Sequence, residues 1–118
     1  MGVQSYRDLV AWQKAIDMVE AVYRATQTWP KDEVYGLTTQ ARRAAVSVPA
    51  NIAEGQGRRG AAEMVHHLSM AGGSLHELET HLLIALRLGY INQAALAPLL
   101  AQADEVGRLL SGLIRSMR

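Results

Sequence analysis

Apolar residues recur along this chain at three- and four-residue spacing almost from end to end. No stretch of useful length alternates with the period of two that marks a strand. From Tyr6 to Thr26, Leu9, Trp12, Ile16, Val19 and Tyr23 form one stripe, and Ala15, Met18, Val22 and Ala25 widen it. Gln13, Asp17, Glu20 and Arg24 make the clearly polar strip. The pattern predicts a first helix that is apolar over about half its circumference. One bundle core does not cover so broad an arc, so the surplus predicts self-association.

The break TWPKDEVYG follows, with Pro30 disfavouring further helix and Asp32 expected as an N-cap. A second helix is expected from about Glu33 to Glu54, with Leu37, Ala41, Ala44, Val48 and Ile52 on its main apolar side. Pro49 falls inside it and is expected to kink it by removing the bond to the Ala45 carbonyl. The third helix is expected from Ala61 to Leu88. Met64, Leu68, Ala71, Leu75, Leu78, Leu82 and Ala85 alternate four and three apart, a seven-residue repeat. Gly72 and Gly73 lie in its middle, each at a cost of about 1 kcal/mol against alanine. Because the repeat passes through them undisturbed, the patch Ala71 to Ser74 predicts close approach of another helix rather than a break. Gly89 is placed to end the helix and Asn92 to cap the next. Leu96, Leu99, Ala103, Val106, Leu110, Leu113 and Met117 then repeat the three-four spacing. Pro98 allows that helix to start near Gln93, with a kink, or near Ala97. Four helices with short connections predict an all-α, up-down-up-down four-helix bundle, a single domain over residues 1–118.

Composition narrows the function. About half the residues are apolar and 19% are charged, a globular balance. The absence of cysteine excludes disulfides, thiolate metal sites and cysteine nucleophiles, and it fits a cytoplasmic protein. The N-terminus shows no secretory pattern, and the apolar runs are too short for a membrane span. Net charge is +1, far weaker than the usual footprint of a nucleic-acid binder.

The polar clusters carry little recognisable chemistry. Glu63 and His66 form an E-x-x-H pair like those of di-iron bundles, but a second such pair is missing and His76 and Glu79 stand in reverse order. His67, Ser74 and His81 share a stripe at seven-residue spacing, about 10 Å per step and too far for one metal. These histidines are expected at the surface or an interface, and no metal or cofactor is expected. No Ser-His-Asp set converges at helical spacing, and no phosphate-binding G-x-x-x-x-G-K is present. The chain is therefore expected not to be an enzyme.

Two polar features remain. GQGRRG places Arg58 and Arg59 beside the N-terminus of the third helix, where backbone N–H groups favour a phosphate. Arg42 and Arg43 extend that candidate nucleic-acid contact; the alternative is a glycine corner with solvated arginines. On the second helix, Gln40, Arg43, Ser47, Asn51 and Glu54 form a polar stripe flanked by apolar residues. Such a stripe is expected to be half-buried and hydrogen-bonded, a structural network. Glu54 lies about 16 Å from Arg43 along the helix, so its partner is expected from another helix or subunit.

Three stretches carry a resemblance covering roughly residues 5–115: YRDLVAWQKAIDMVEAVYRAT, YGLTTQARRAAVSVPANIAEGQGRRG and HLSMAGGSLHELETHLLIALRLGYI. The most specific part is N-I-A-E-G with the upstream Q-x-R-R. Together they resemble the four-helix bundle proteins encoded in intervening sequences of bacterial 23S ribosomal RNA genes. That superfamily includes the accessory variability proteins of diversity-generating retroelements. The resemblance implies a ring-like homopentamer. It also implies relatives that bind nucleic acid through basic surfaces and partner a reverse transcriptase. Its motif positions are Gln40, Arg43, Ser47, Asn51, Glu54 and Gly55, here read as structural and inter-subunit. Two functions follow as expectations: a homo-oligomer binding RNA or DNA through Arg42, Arg43, Arg58 and Arg59, or a scaffold whose partner is a protein such as a reverse transcriptase.

Overall fold

The computed structural model describes residues 5–58 and 60–117. Four helices account for most of them: α1 (Val10–Thr26), α2 (Leu37–Gln56), α3 (Ala61–Leu88) and α4 (Gln93–Ser116). Among the described residues there is no strand. The helices pack in sequence around one core. Each touches the next, α1 closes on α4, and α1 lies diagonally across from α3 as α2 does from α4. The bundle measures 46 × 25 × 20 Å. No helix among the described residues is long and apolar enough to cross a membrane.

The buried stripes are the heptad stripes of the sequence. Met64, Leu68, Ala71, Leu75, Leu78, Leu82 and Ala85 of α3 are all buried, as are Leu96, Leu99, Ala103, Val106 and Leu110 of α4. Met18 and Val22 of α1 and Val48 and Ile52 of α2 complete the centre, each fully enclosed. Burying one such aliphatic side chain is worth about 1.5–3 kcal/mol, so these stripes dominate the cohesion of the bundle.

Two helix starts differ from expectation. A separate 3-10 turn, Tyr6–Asp8, precedes α1; Ser5 and Asp8 cap it reciprocally, and extended Leu9 separates it from Val10. The local capping box outcompetes continuation of the helix. Asp32 does not cap α2. Lys31–Glu33 instead form a 3-10 turn, and the Glu33 Oε1 atom accepts from the Leu37 N–H at 3.0 Å. Gly36 leaves space for that carboxylate, since a Cβ there would come within 2.6 Å of Oε1. α2 continues through Pro49, whose buried ring packs into the core. Gly89 ends α3 in the left-handed region (φ 79°), and Asn92 caps α4 through the Ala95 N–H at 2.8 Å. α4 therefore starts at Gln93, with Pro98 inside it.

The close helix approach expected at Gly72 and Gly73 is absent. A Cβ on either would meet nothing within 4 Å: Gly73 is exposed, and Gly72 borders an open space between α3 and α4. Close approach occurs at Gly55, where a Cβ would stand 3.0 Å from the Cβ of His67 and 3.3 Å from the Met64 carbonyl oxygen.

Candidate functional site

α2 and α3 meet along a polar ladder inside an otherwise apolar seam. The Ser74 hydroxyl donates to Ser47 Oγ at 2.9 Å. Asn51 Nδ2 donates to Ser47 Oγ at 3.0 Å and to the Ser47 carbonyl at 2.9 Å. His67 Nδ1 lies 3.4 Å from Asn51 Oδ1. All four residues are half-buried. Of the expected stripe, Ser47 and Asn51 thus join a network, while Gln40, Arg43 and Glu54 are exposed in the protomer. Glu54 needs no other helix, because Arg58, four residues on, forms an ion pair with it. The chain turns just after Gln56 and brings that guanidinium back over the helix end. The α3 members, Ser74 and His67, were missed as partners of the stripe. Their shared heptad position was the signal, and opposing it to that of Ser47 and Asn51 would have found them.

The arginines do not form one patch. Arg42 is half-buried; its Nε donates to Thr26 Oγ1 at 2.8 Å, and its guanidinium stacks 4.6 Å from the Tyr23 ring centroid. It clamps α1 to α2 rather than awaiting a ligand. Arg43 is exposed and forms no ion pair among the described residues, beside a shallow depression lined by Tyr23, Thr39, Val46 and Ser47. Arg58 lies past the end of α2, in the turn that follows Gln56, with its charge balanced by Glu54. Arg59 lies outside the described residues.

The histidines fall into three settings. His66 and His76 are exposed and His67 belongs to the ladder. His81 departs from expectation: it is buried, with neither ring nitrogen hydrogen-bonded among the described residues and Glu77 Oε2 3.9 Å away. It occupies the same heptad position as His67 and Ser74, which turns it into the bundle. Among the described residues no three His, Asp or Glu side chains are grouped to hold a metal ion.

A groove of about 600 Å³ lies between α3 and α4. Gly72 and Gly107 leave it open, Leu75 and Leu110 floor it, and His76, Glu79, Asp104 and Arg108 line its walls. Asp104 and Arg108 pair with each other along α4. At the far end of the bundle, Tyr90 donates to Glu33 Oε2 at 2.8 Å, tying the α1–α2 connection to the α3–α4 connection. The Leu37 N–H and then the Tyr90 hydroxyl hold the Glu33 carboxyl below its ordinary range. The same bond pushes the Tyr90 hydroxyl up.

Exposed large apolar side chains mark the outer surface. Ile16 (39% exposed) and Tyr23 (41%) of α1 lie on the flank toward α2, where Val46 (42%) joins them. On the diagonally opposite helix α3, Met70, Leu83, Ile84 and Leu88 are exposed. Among the described residues α4 carries no exposed large apolar side chain.

Residues 7–112 match the family model of the 23S rRNA-intervening sequence protein. The chain is also similar to a crystal structure of a protein of unknown function from the S23 ribosomal protein family of Bacteroides thetaiotaomicron. That likeness has a TM-score of 0.80 at 21% identity, over 90% of this chain and 99% of the other, and it speaks to the fold. No curated protein matches the sequence.

Proposed function

The chain belongs to the 23S rRNA-intervening sequence protein family, and from that premise we propose that it is a non-enzymatic, self-assembling scaffold. The observation that carries this reading is two separate sets of exposed apolar side chains, Ile16, Tyr23 and Val46 on α1 and α2, and Met70, Leu83, Ile84 and Leu88 on α3. Two different sets on one protomer favour a head-to-tail contact, which closes into a ring when the rotation permits. The resemblance implies five subunits. Such a ring presents repeated copies of one surface to a partner protein, of which a reverse transcriptase is the kind the resemblance implies. Sedimentation velocity over a hundredfold concentration range tests this reading. The expected result is a closed oligomer, and a monomer throughout would overturn it.

A second reading is binding of RNA or DNA, supported by Arg43, exposed and outside every ion pair among the described residues. Lys14, Lys31, Arg87 and Arg115 are also exposed and outside the ion pairs of the described residues, and such cations repeated around a ring would give a steep loss of affinity with salt. Titration of the protein with duplex and single-stranded probes at low and high salt tests it. No binding at low salt would remove it.

A further inference from the structure

The groove between α3 and α4 is bordered by two glycines that the protomer's own packing does not require. Gly72 opens it from α3 and Gly107 from α4. A Cβ on Gly72 would meet nothing within 4 Å, and one on Gly107 would stand 3.8 Å from Leu75 Cδ1, an ordinary contact. Alanine would fit at both positions and would favour both helices. Neither glycine is needed to let α3 and α4 meet, so the space they share serves something outside the protomer.

The neighbours Gly107 and Leu75 set the level of one helix against the other. Counted outward from them along two helices of opposite direction, Gly72 is level with Leu110, Leu68 with Ile114 and Glu79 with Ala103. All of these residues border the groove. From Leu68 to Glu79 it runs eleven residues at 1.5 Å each, about 16 Å, or three turns of a helix. Leu68, Leu75, Leu110 and Ile114 make an apolar floor, and the two glycines leave a hole in its middle for one large apolar side chain. The two ends carry opposite charge. Half-buried Glu79 stands at one end and exposed Arg115 at the other, and neither forms an ion pair among the described residues. Asp104, near Glu79, is already paired with Arg108, and His76 is exposed on the wall.

This shape selects its occupant. An extended peptide laid on an apolar floor would leave its backbone N–H and C=O groups unpaired, whereas a helix satisfies its own. A helix docks in such a groove through one apolar stripe. Resting on the reading that the protein presents a surface to a partner protein, we propose that the α3/α4 groove docks an amphipathic helix of that partner. The helix is about three turns long, seats a large apolar side chain between Gly72 and Gly107, and turns a basic residue toward Glu79 and an acidic one toward Arg115. Among the described residues α4 carries no exposed large apolar side chain. The wall that α4 supplies is therefore separate from the apolar sets on which self-assembly rests.

The probes that test this are alanine-based helical peptides of about twenty residues with one leucine stripe and blocked ends. They differ only at the two ends of the stripe, which carry lysine and glutamate, two lysines, or two glutamates. In fluorescence anisotropy the lysine–glutamate peptide should bind about threefold or more tighter than the other two. Glu79→Arg should shift the preference to the two-glutamate peptide. Gly72→Leu should fill the hole and weaken every peptide by about tenfold or more, with circular dichroism and thermal stability of the protomer preserved. Gly107→Ala, which leaves Leu75 in place, should weaken them less. No binding of any peptide, or binding that both glycine variants leave intact, would overturn the docking site. Uptake of a small amphiphile such as anilinonaphthalene sulfonate without any peptide would also overturn it. So would dissociation of the oligomer by Gly72→Leu, which would assign the groove to a second copy. Sedimentation of the same samples separates the two readings: an assembled protein that ignores the peptides fails the groove alone, and a monomer that binds them fails self-assembly alone.

Discussion

α3 sits between two seams built on opposite principles. Its seam with α2 is closed. Gly55 lets the helices approach until a single added Cβ would collide, and the Ser47, Asn51, His67 and Ser74 ladder fills the polar space. Its seam with α4 is open, with a groove of about 600 Å³ left where Gly72 and Gly107 carry no side chain. Glycine occurs in both seams and does different work in each. In the first it removes an obstacle between two backbones; in the second it leaves a space that nothing in the protomer fills.

Substitution of these glycines breaks the comparison most sharply. Gly55→Ala puts a Cβ 3.0 Å from His67 Cβ, an atom fixed to the α3 backbone, so the helices must separate. A loss of about 1–3 kcal/mol is expected, the usual cost of overpacking. Gly72→Ala meets no atom within 4 Å. It should stabilise the protomer by about 0.5–1 kcal/mol through helix propensity alone. Urea unfolding of the two variants checks both signs. Equal effects would mean that the seams do not differ as described.

The ladder gives the next largest effect. Ser47→Ala removes the acceptor of both Ser74 and Asn51, whereas Ser74→Ala removes one donor. A double-mutant cycle should show a coupling of about 0.5–1.5 kcal/mol, since each change leaves the other partner half-buried without its bond. The same cycle on Asp104 and Arg108 in the open seam should give less than about 0.5 kcal/mol, because both groups are exposed and screened. Chemical denaturation of the four serine variants and the four ion-pair variants supplies the measurement. Coupling of equal size in the two seams would erase the distinction between them.

How much of this was legible beforehand follows from where each feature takes its partners. The four helices, the α3 limits Ala61 and Leu88, the Gly89 stop and the Asn92 cap depend on residues a few positions apart, and the periodicity alone places them. The α2 start was misread because Asp32 suits a cap by residue type, yet Glu33 reaches forward to the Leu37 N–H and Tyr90 secures it from 57 residues away. The glycine pair was misread for a similar reason. A small patch on one helix does not say which of its members faces a neighbour, and here Ser74 meets Ser47 of α2 while a Cβ on either glycine would touch nothing. Of the candidate site, the middle of the α2 stripe was visible as polar residues among apolar ones. Its ends were not, because the exposure of Arg43 and Glu54 depends on how α2 packs against α1 and α3 and on the turn that returns Arg58. The four arginines could be counted from sequence. That Arg42 would be taken by Tyr23 and Thr26 could not, since it depends on the crossing of α1 and α2.

The smallest effect is expected at the end of the bundle, where one bond closes both seams. Glu33 precedes α2 and Tyr90 lies between α3 and α4, so their hydrogen bond at 2.8 Å joins the closed and the open side. The Glu33 carboxyl is held below its ordinary value in the folded protein, first by the Leu37 N–H and then by Tyr90. A group depressed on folding stabilises above its unfolded pKa, and that contribution is lost as pH falls through the folded one. Tyr90→Phe removes the second cause and leaves the first. The variant should therefore lose a small part of its stability at neutral pH, with the difference from the wild type shrinking as pH falls and the acid-unfolding midpoint slightly higher. Glu33→Gln removes the titrating group, so its stability should depend less steeply on pH below the ordinary carboxylate range than that of the wild type. Thermal unfolding recorded from pH 3 to pH 7 on the three proteins checks the order. If Tyr90→Phe moved the acid limb as far as Glu33→Gln flattened it, the cap on Leu37 would contribute nothing. The tie across the two seams would then be the whole of Glu33's role.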